Sequence, residues 1–485
     1  MAALERSDFR EVERLWHTLP ASQRGLPGLG LIRALALGGA GQLARAGREL
    51  DRLAQPGHAH PRRDLGDILA RVGKPGPAAV EYRAAIRAVP DDGAAWHALG
   101  LSLAELGDLQ AAEDAFRHTI ALDPGPAAPW SNLGMMLKTQ QRFTEAIQAH
   151  DAAVSRAPSD PQIRVNRAVA LLHAGRLTEA WADYEYRLRL DGRPRMPAGP
   201  LLPDIAGLDL SGRIVLVWHE EGFGDTIQFA RYAPLLAARG ARPLLAVPAP
   251  LVRLFGCLPG TTVLDPAAPF PAYDYHCPVF SLPRAFGTTL ETVPAGTSYL
   301  FAEPALVAAW AVRLPSMGLR AGIAWAGQAR PWLPGFAALN ARRSLDPGDL
   351  RHLADIPGVQ LVSLQAGQRA PDFMHDPMPD VTDFADTAAI IANLDVVVTV
   401  DTAVVHLAAG LGKPVLLLDR YDNCWRWFSG REDSPWYPTL RILRQRRMND
   451  WSVPLRRTAE LLHSASSGSG TPPSHGVPPD QPQPP

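Results

Sequence analysis

Prolines stand at positions 56, 90, 124 and 158, each 34 residues after the last, and alanines at 44, 78, 112, 146 and 180 keep the same interval. Trp96 recurs as Trp130, and Leu65-Gly66 recurs as Leu99-Gly100 and Leu133-Gly134. Tyr82, Phe116 and Tyr184 share one phase, with His150 between them. A fixed period of this length restricts the fold severely. Each unit is a supersecondary element that can bury its apolar face only against its neighbours, so the segment must be a solenoid. Small residues at the Leu-Gly and alanine positions let two antiparallel helices approach. The aromatic fills the groove between them, and the proline follows the second helix, where it removes no hydrogen bond that helix needs. The register predicts a degenerate unit at 25–58 and further units at 59–92, 93–126, 127–160 and 161–194, preceded by a helical cap over 1–24. In the last unit the Trp and Pro positions hold Arg164 and Gly192.

This spacing resembles the tetratricopeptide repeat, whose pattern of Trp, Leu-Gly, Ala, aromatic and Pro is best met by residues 93–126. The resemblance implies a right-curving solenoid with a concave groove. Such a groove docks a protein or peptide, or the repeats form a dimerising or stabilising arm, which leaves a homo-oligomer open.

The character of the chain changes after the repeats. Five of the ten residues 191–200 are Pro or Gly, and 195–210 reads as a linker. Beyond it, short β-rich runs alternate with helices, which implies parallel sheets. Strands are expected at 215–218, 243–247, 261–264, 319–325, 360–364, 395–400 and 414–418, and helices at 227–239, 250–258, 305–314, 347–354, 384–394 and 402–411. They group into two Rossmann-like halves, 211–304 and 305–463, with a ligand crevice beyond the carboxyl ends of the strands. The tail 464–485 is rich in Ser, Gly and Pro, has nothing to bury, and is expected to be disordered.

Within the second half, the β-branched run ending at Val400 delivers a helix at Thr402. The first amides of a helix lack internal partners and carry the positive end of its dipole, so Thr402, Ala403 and Val404 offer a diphosphate site. A matching strand, glycine turn and helix runs from Ile214 through Gly222 and Gly224 to Thr226, the glycines permitting positive φ and close approach of substrate.

Composition excludes several classes. A net charge of −1 gives no electrostatic reason to expect nucleic acid or an anionic membrane. Cys257, Cys277 and Cys424 are an odd number without a CxxC, which argues against a disulfide frame or zinc site. The first residues have no leader-like apolar core, and no apolar run reaches the ~18 residues of a membrane span. A cytoplasmic protein is expected.

The motif Glu220-Glu221-Gly222-Phe223-Gly224-Asp225-Thr226-Ile227-Gln228-Phe229-Ala230-Arg231-Tyr232 resembles the opening of the glycosyltransferase domain in bacterial tetratricopeptide proteins. Trp325-Ala326-Gly327, Arg343-Ser344-Leu345, Asp401-Thr402 with His406-Leu407-Ala408, and Asp433-Ser434-Pro435-Trp436-Tyr437-Pro438 continue it in order. Residues 205–460 are thus similar to the heptosyltransferase group, glycosyltransferase family 9, and the whole layout is similar to the O-linked N-acetylglucosamine transferases. The resemblance implies a GT-B fold and inverting transfer from a nucleotide-diphosphate sugar. The second half would hold the donor, the first half would present the acceptor, and no essential metal or other cofactor would take part. No Asp-X-Asp stands at a strand end to hold a bridging metal.

The residues then take these readings. Asp225 is the general base for the acceptor hydroxyl, or the acid that caps its helix. Glu220 and Glu221 are the alternative bases. His406, one turn from Thr402, donates to the phosphate or leaving oxygen, or is a packed core histidine. Asp401 is the helix cap. Arg343 suits a diphosphate bidentately, beside Ser344. Gln328 reads base or sugar, as do Trp425, Arg426 and Trp427 in a loop, while Trp436 and Tyr437 pack back across the halves. Two features favour a repeat scaffold with a catalytically silent transferase domain. Ala403 stands where related enzymes usually have Gly, and the loop 328–341 is unusually apolar.

Overall fold

The computed structural model describes residues 9–24, 27–42, 45–49, 61–192, 196–296, 298–328 and 336–468. The chain forms two compact units, Met1–Ala170 and Leu171–Pro485.

The first unit is helical. Helices α1 (Phe9–Thr18) and α2 (Pro27–Gly39) precede the pairs α3 (Pro61–Arg71) and α4 (Pro75–Ala88), α5 (Gly93–Glu105) and α6 (Leu109–Leu122), and α7 (Ala127–Thr139) and α8 (Phe143–Arg156). Helix α9 (Pro161–His173) carries the chain over the boundary between the units, and α10 (Leu177–Tyr184) follows it. The periodic residues explain the pairing. A Cβ added at Gly66 would come 2.5 Å from the Tyr82 ring, at Gly100 2.6 Å from Phe116, and at Gly134 2.6 Å from His150. Only glycine lets the aromatic of the second helix lie flat on the first. The Trp96 indole donates to the Pro90 carbonyl at 2.9 Å and Trp130 to Pro124 at 3.0 Å. Arg164 donates from Nε to the Pro158 carbonyl at 2.8 Å, so the repeat that lacks its tryptophan keeps the bond that residue made.

The second unit carries two all-parallel sheets. The first has the order β3-β2-β1-β4, from β1 (Ile214–Trp218), β2 (Arg242–Ala246), β3 (Thr262–Val263) and β4 (Tyr275–Pro278). Helices α11 (Phe223–Phe229), α12 (Tyr232–Ala238) and α13 (Ala249–Phe255) connect its strands. After α14 (Pro304–Ala311), the second sheet has the order β6-β5-β7-β8-β9, from β5 (Leu319–Ala324), β6 (Val359–Ser363), β7 (Val396–Val400), β8 (Val415–Asp419) and β9 (Leu440–Arg444). Its helices include α15 (Phe336–Arg343), α16 (Phe384–Ala392), α17 (Ala403–Gly410) and α18 (Ser452–Ser466). β7 and β8 are buried along their whole length, which is why they read as unbroken apolar runs.

Several expectations differ from the structure. The helix expected over 227–239 starts earlier and is broken between Phe229 and Tyr232. β4, β9 and α18 have no counterpart in the sequence reading. β4 is only four residues long, β9 interleaves two arginines with its apolar residues, and α18 is a helix with polar residues over much of its length. Part of the linker is structured: Leu202 donates to the His276 carbonyl at 2.8 Å and His276 to the Pro200 carbonyl at 3.0 Å, so the stretch lies along β4. The end of the repeat region also belongs to the second unit. Trp181 donates to the Thr288 carbonyl at 2.7 Å, and Arg187 makes a two-point ion pair with Glu220 at 2.8 and 2.9 Å, both side chains almost wholly buried. Helix α18 occupies 464–466 of the tail expected to be disordered, and 469–485 lie outside the described residues. Among the described residues no helix is long and apolar enough to cross a membrane.

His150 takes the place of the repeat aromatic. It is fully buried, and neither ring nitrogen has a partner. Burial, helped by Lys138 and Arg167, pulls its pKa down to about 3 from the ordinary 6.5. The folded protein therefore refuses a proton that the unfolded chain accepts. Stability holds above pH 6.5 and falls by about 1.4 kcal/mol per pH unit below it, until the folded pKa is reached. His150→Phe, which copies Phe116 one repeat earlier, should raise the melting temperature of the repeats and flatten its pH dependence between 4 and 6.5. Calorimetry over that range checks both.

Candidate active site

The carboxyl ends of β1, β5, β7 and β8 border a cleft of about 520 Å³ between the two sheets, within the range of small-molecule sites. Gly222, Phe223, Gly224 and Asp225 line it from the first sheet's side. Gln328, Arg343, Asp401 to Val404, His406, Arg420, Cys424 and Arg426 line it from the second.

Glycine sets its width. A Cβ on Gly224 would lie 2.8 Å from His406 Cδ2 and 3.2 Å from Ala403 Cα. The start of α11 thus rests directly on the start of α17. Neither glycine uses positive φ, contrary to expectation: Gly222 is extended at φ −101, and Gly224 is an ordinary helical residue chosen for its missing side chain.

Asp225 lies at the cleft and is the acid that caps its helix. One oxygen accepts from the Gly222 amide at 2.9 Å, as the acid that caps α11, and the other accepts from Arg426 at 2.6 Å. Burial raises its pKa, the Arg426 charge opposes this, and Glu221 and Asp401 reinforce it. Each oxygen keeps a second lone pair. Arg426 is buried rather than set in an open loop, and it also donates to Gln228 at 2.7 Å and to Cys424 Sγ at 3.0 Å. It holds Asp225 in place and also lines the cleft. Glu220 is spent on Arg187, and Glu221 is exposed outside the cleft lining.

Around α17 the cap is Thr402, not Asp401: Thr402 Oγ1 accepts from the Val404 amide at 3.3 Å. That engages one of the three amides expected for a diphosphate. The Ala403 amide has no acceptor among the described residues and lies at the cleft. Arg343 ends α15 rather than standing in a loop, donating to Asn340 Oδ1 at 3.0 Å and to the Asp401 carbonyl at 3.1 Å, and so braces the β7–α17 turn. A Cβ on Gly327 would displace the Arg343 guanidinium and the Asn340 side chain from where they lie. Ser344 lies outside the cleft lining and bonds Asn340 and Gly327. Of the apolar loop 328–341, residues 329–335 lie outside the described residues, and its end forms α15.

His406 is buried, pairs with the Tyr437 hydroxyl at 2.9 Å, and stacks on Trp427 at 5.3 Å. Burial, with Arg426 and Arg231 nearby, holds its pKa well below 6.5, so the ring is neutral imidazole. Trp425 and Trp427 are core residues: Trp425 packs among Trp181, Tyr184, Phe229 and Trp436. Trp436 and Tyr437 are buried across the cleft's floor, and Arg231 donates to the Trp436 carbonyl at 2.7 Å. Gln228 and Arg420 escaped the sequence reading. Position 420 directly follows β8, and the rule that ligands sit past carboxyl strand ends would have flagged it.

Known proteins resemble parts of the chain. Residues 63–127 and 132–196 match the tetratricopeptide repeat family, and residues 379–447 match glycosyltransferase family 9 (heptosyltransferase). The chain is 26% identical over 455 residues to protein FlbA of Caulobacter vibrioides, covering 85% of this chain and 74% of FlbA. Solved structures similar to part of the chain include MamA (21% identical, 32% of this chain, 93% of that chain, TM-score 0.28). YrrB, described as a TPR protein with an unusual peptide-binding site, is another (16% identical, 35% of this chain, 89% of that chain, TM-score 0.28). The chain is a tetratricopeptide-containing, glycosyltransferase-like protein.

Gly224→Ala should lower the melting temperature of the second unit, by ~1–3 kcal/mol of overpacking. It should also open the cleft, because the backbone of α17 cannot yield as a flexible side chain would. Differential scanning fluorimetry and small-molecule quenching of tryptophan check the two effects.

Proposed function

We propose that the chain is an inverting, metal-independent glycosyltransferase of the GT-B kind, built from two Rossmann-like halves. It would use a nucleotide-diphosphate sugar donor, with the repeats docking a protein or peptide. The observation that carries the reading is the meeting of Asp225 and the α17 N-terminus across one cleft, with Gly224 packed on Ala403 and His406. The family 9 match over 379–447, which includes Thr402 and His406, supports it.

In this reading the donor diphosphate lies at the α17 N-terminus, where the Ala403 amide and the helix dipole face it. The acceptor hydroxyl stands between Asp225 and the anomeric carbon. Its oxygen attacks that carbon as the bond to the diphosphate breaks. Its proton passes to Asp225, and the electron pair leaves with the nucleotide. Arg343 holds the turn and adds positive charge beside the leaving oxygens. Neutral His406 packs under the site and offers its ring edge, not a full charge. Ala403 supplies the same amide a glycine would, with a methyl group added.

Asp225→Asn should abolish transfer while nucleotide binding persists, because the cap bond to Gly222 needs only an oxygen. Thr402→Trp should block nucleotide binding. A thermal-shift panel of UDP, GDP, ADP and dTDP reads binding, and transfer with folding intact in both variants would overturn the reading. No response of the wild type to any nucleotide would instead favour a silent scaffold. Chelators should leave turnover unchanged. The pH profile should fall on its acid side above the ordinary Asp range near ~3.9, since Asp225 must be ionised and its pKa is raised. Arg426→Gln should move that limb further up, because it removes the positive charge that opposes the rise.

A further inference from the structure

Arg420 is a cleft-lining cation that the foregoing chemistry does not use. Its side chain is 10% exposed, and its Nε and Nη1 are buried without a hydrogen-bond acceptor. The nearest carboxylate oxygen, Asp422 Oδ1, is 3.6 Å away, beyond hydrogen-bond reach, and the other Asp422 oxygen takes Arg342 at 3.1 Å. A buried guanidinium with unmet donors is unfavourable unless something else meets them.

Its place in the fold says what that is. β7 and β8 run parallel, with Val400 paired to Leu418. Two residues further along each strand stand Thr402 and Arg420, so Arg420 lies beside the α17 N-terminus. The charges around it are already assigned. Arg426 is matched by Asp225, and Arg343 donates to the neutral oxygens of Asn340 and the Asp401 backbone. What is left over at this end of the cleft is a set of unmet N–H groups, Arg420 Nε and Nη1 and the Ala403 amide.

We propose that Arg420 is a donor-binding residue that grips the diphosphate of the leaving nucleotide with the N–H groups now unmet. This rests on the transferase reading and adds to it a specific demand for two linked phosphates, since one would be served by the helix end alone. A planar fork suits that task because it engages two oxygens at once.

The test is titration calorimetry on the full chain. The probes are inorganic pyrophosphate, inorganic phosphate, and the nucleoside diphosphates with their matching nucleosides. Arg420→Gln should weaken pyrophosphate and nucleoside diphosphate binding by about 10- to 100-fold, the scale of a charged hydrogen-bond pair, and leave nucleoside binding unchanged. Arg420→Lys should fall between. Unchanged diphosphate affinity in Arg420→Gln would overturn the assignment while the transferase reading stands. An equal loss for nucleoside and diphosphate would also overturn it, as a mere structural effect. Should Arg420→Gln fail to fold, Arg420→Lys decides by the same comparison. If the wild type binds neither pyrophosphate nor any nucleoside diphosphate, the transferase reading itself falls, and Arg420 with it.

Discussion

The cleft is as narrow as it is because residue 224 has no side chain. With a hydrogen atom there, the start of α11 settles against Ala403 and His406. Asp225, the next residue, is then carried to within 2.6 Å of an arginine that belongs to the other sheet. Neither sheet alone contains the constellation. It exists only where the two helix starts touch, and the contact tolerates no additional carbon.

Beneath that contact lies an aromatic floor rather than a polar one. His406 on Trp427, Trp425 among Phe229, Trp436 and Trp181, and Arg231 over Tyr437 give the site a rigid, poorly hydrated base. In such surroundings a charge must be matched locally or be neutral. The residues sort accordingly. His406 gives up its charge, Arg426 is neutralised by Asp225, and Glu220 is neutralised by Arg187. Buried pairs of this kind contribute positioning more than net stability.

What could be read from the chain follows from the range of the interactions involved. The repeat period, the strands β1, β7 and β8, and the helix start after Val400 depend on local pattern, so they were legible. The occupants of the cleft were legible as types: Asp225, Thr402, Ala403, His406, Arg343 and Gln328 all line it. Their partners were not. That Arg426 belongs to Asp225 spans 201 residues of sequence, and that Arg187 disarms Glu220 spans 33, and no periodicity encodes either. The tryptophans of the 425–427 segment misled for a related reason. An aromatic beside an arginine looks the same in sequence whether it meets a ligand or the core.

The sequence period and the compact units are out of phase: the boundary between units falls inside α9, and Trp181 of α10 and Arg187 just after it are bonded to Thr288 and Glu220 of the second unit. An arm swapped cleanly at a repeat edge would remove Arg187 from Glu220 and the Trp181 indole from the Thr288 carbonyl. An arm exchanged upstream of α10 would leave both contacts in place, because that helix is built into the second unit.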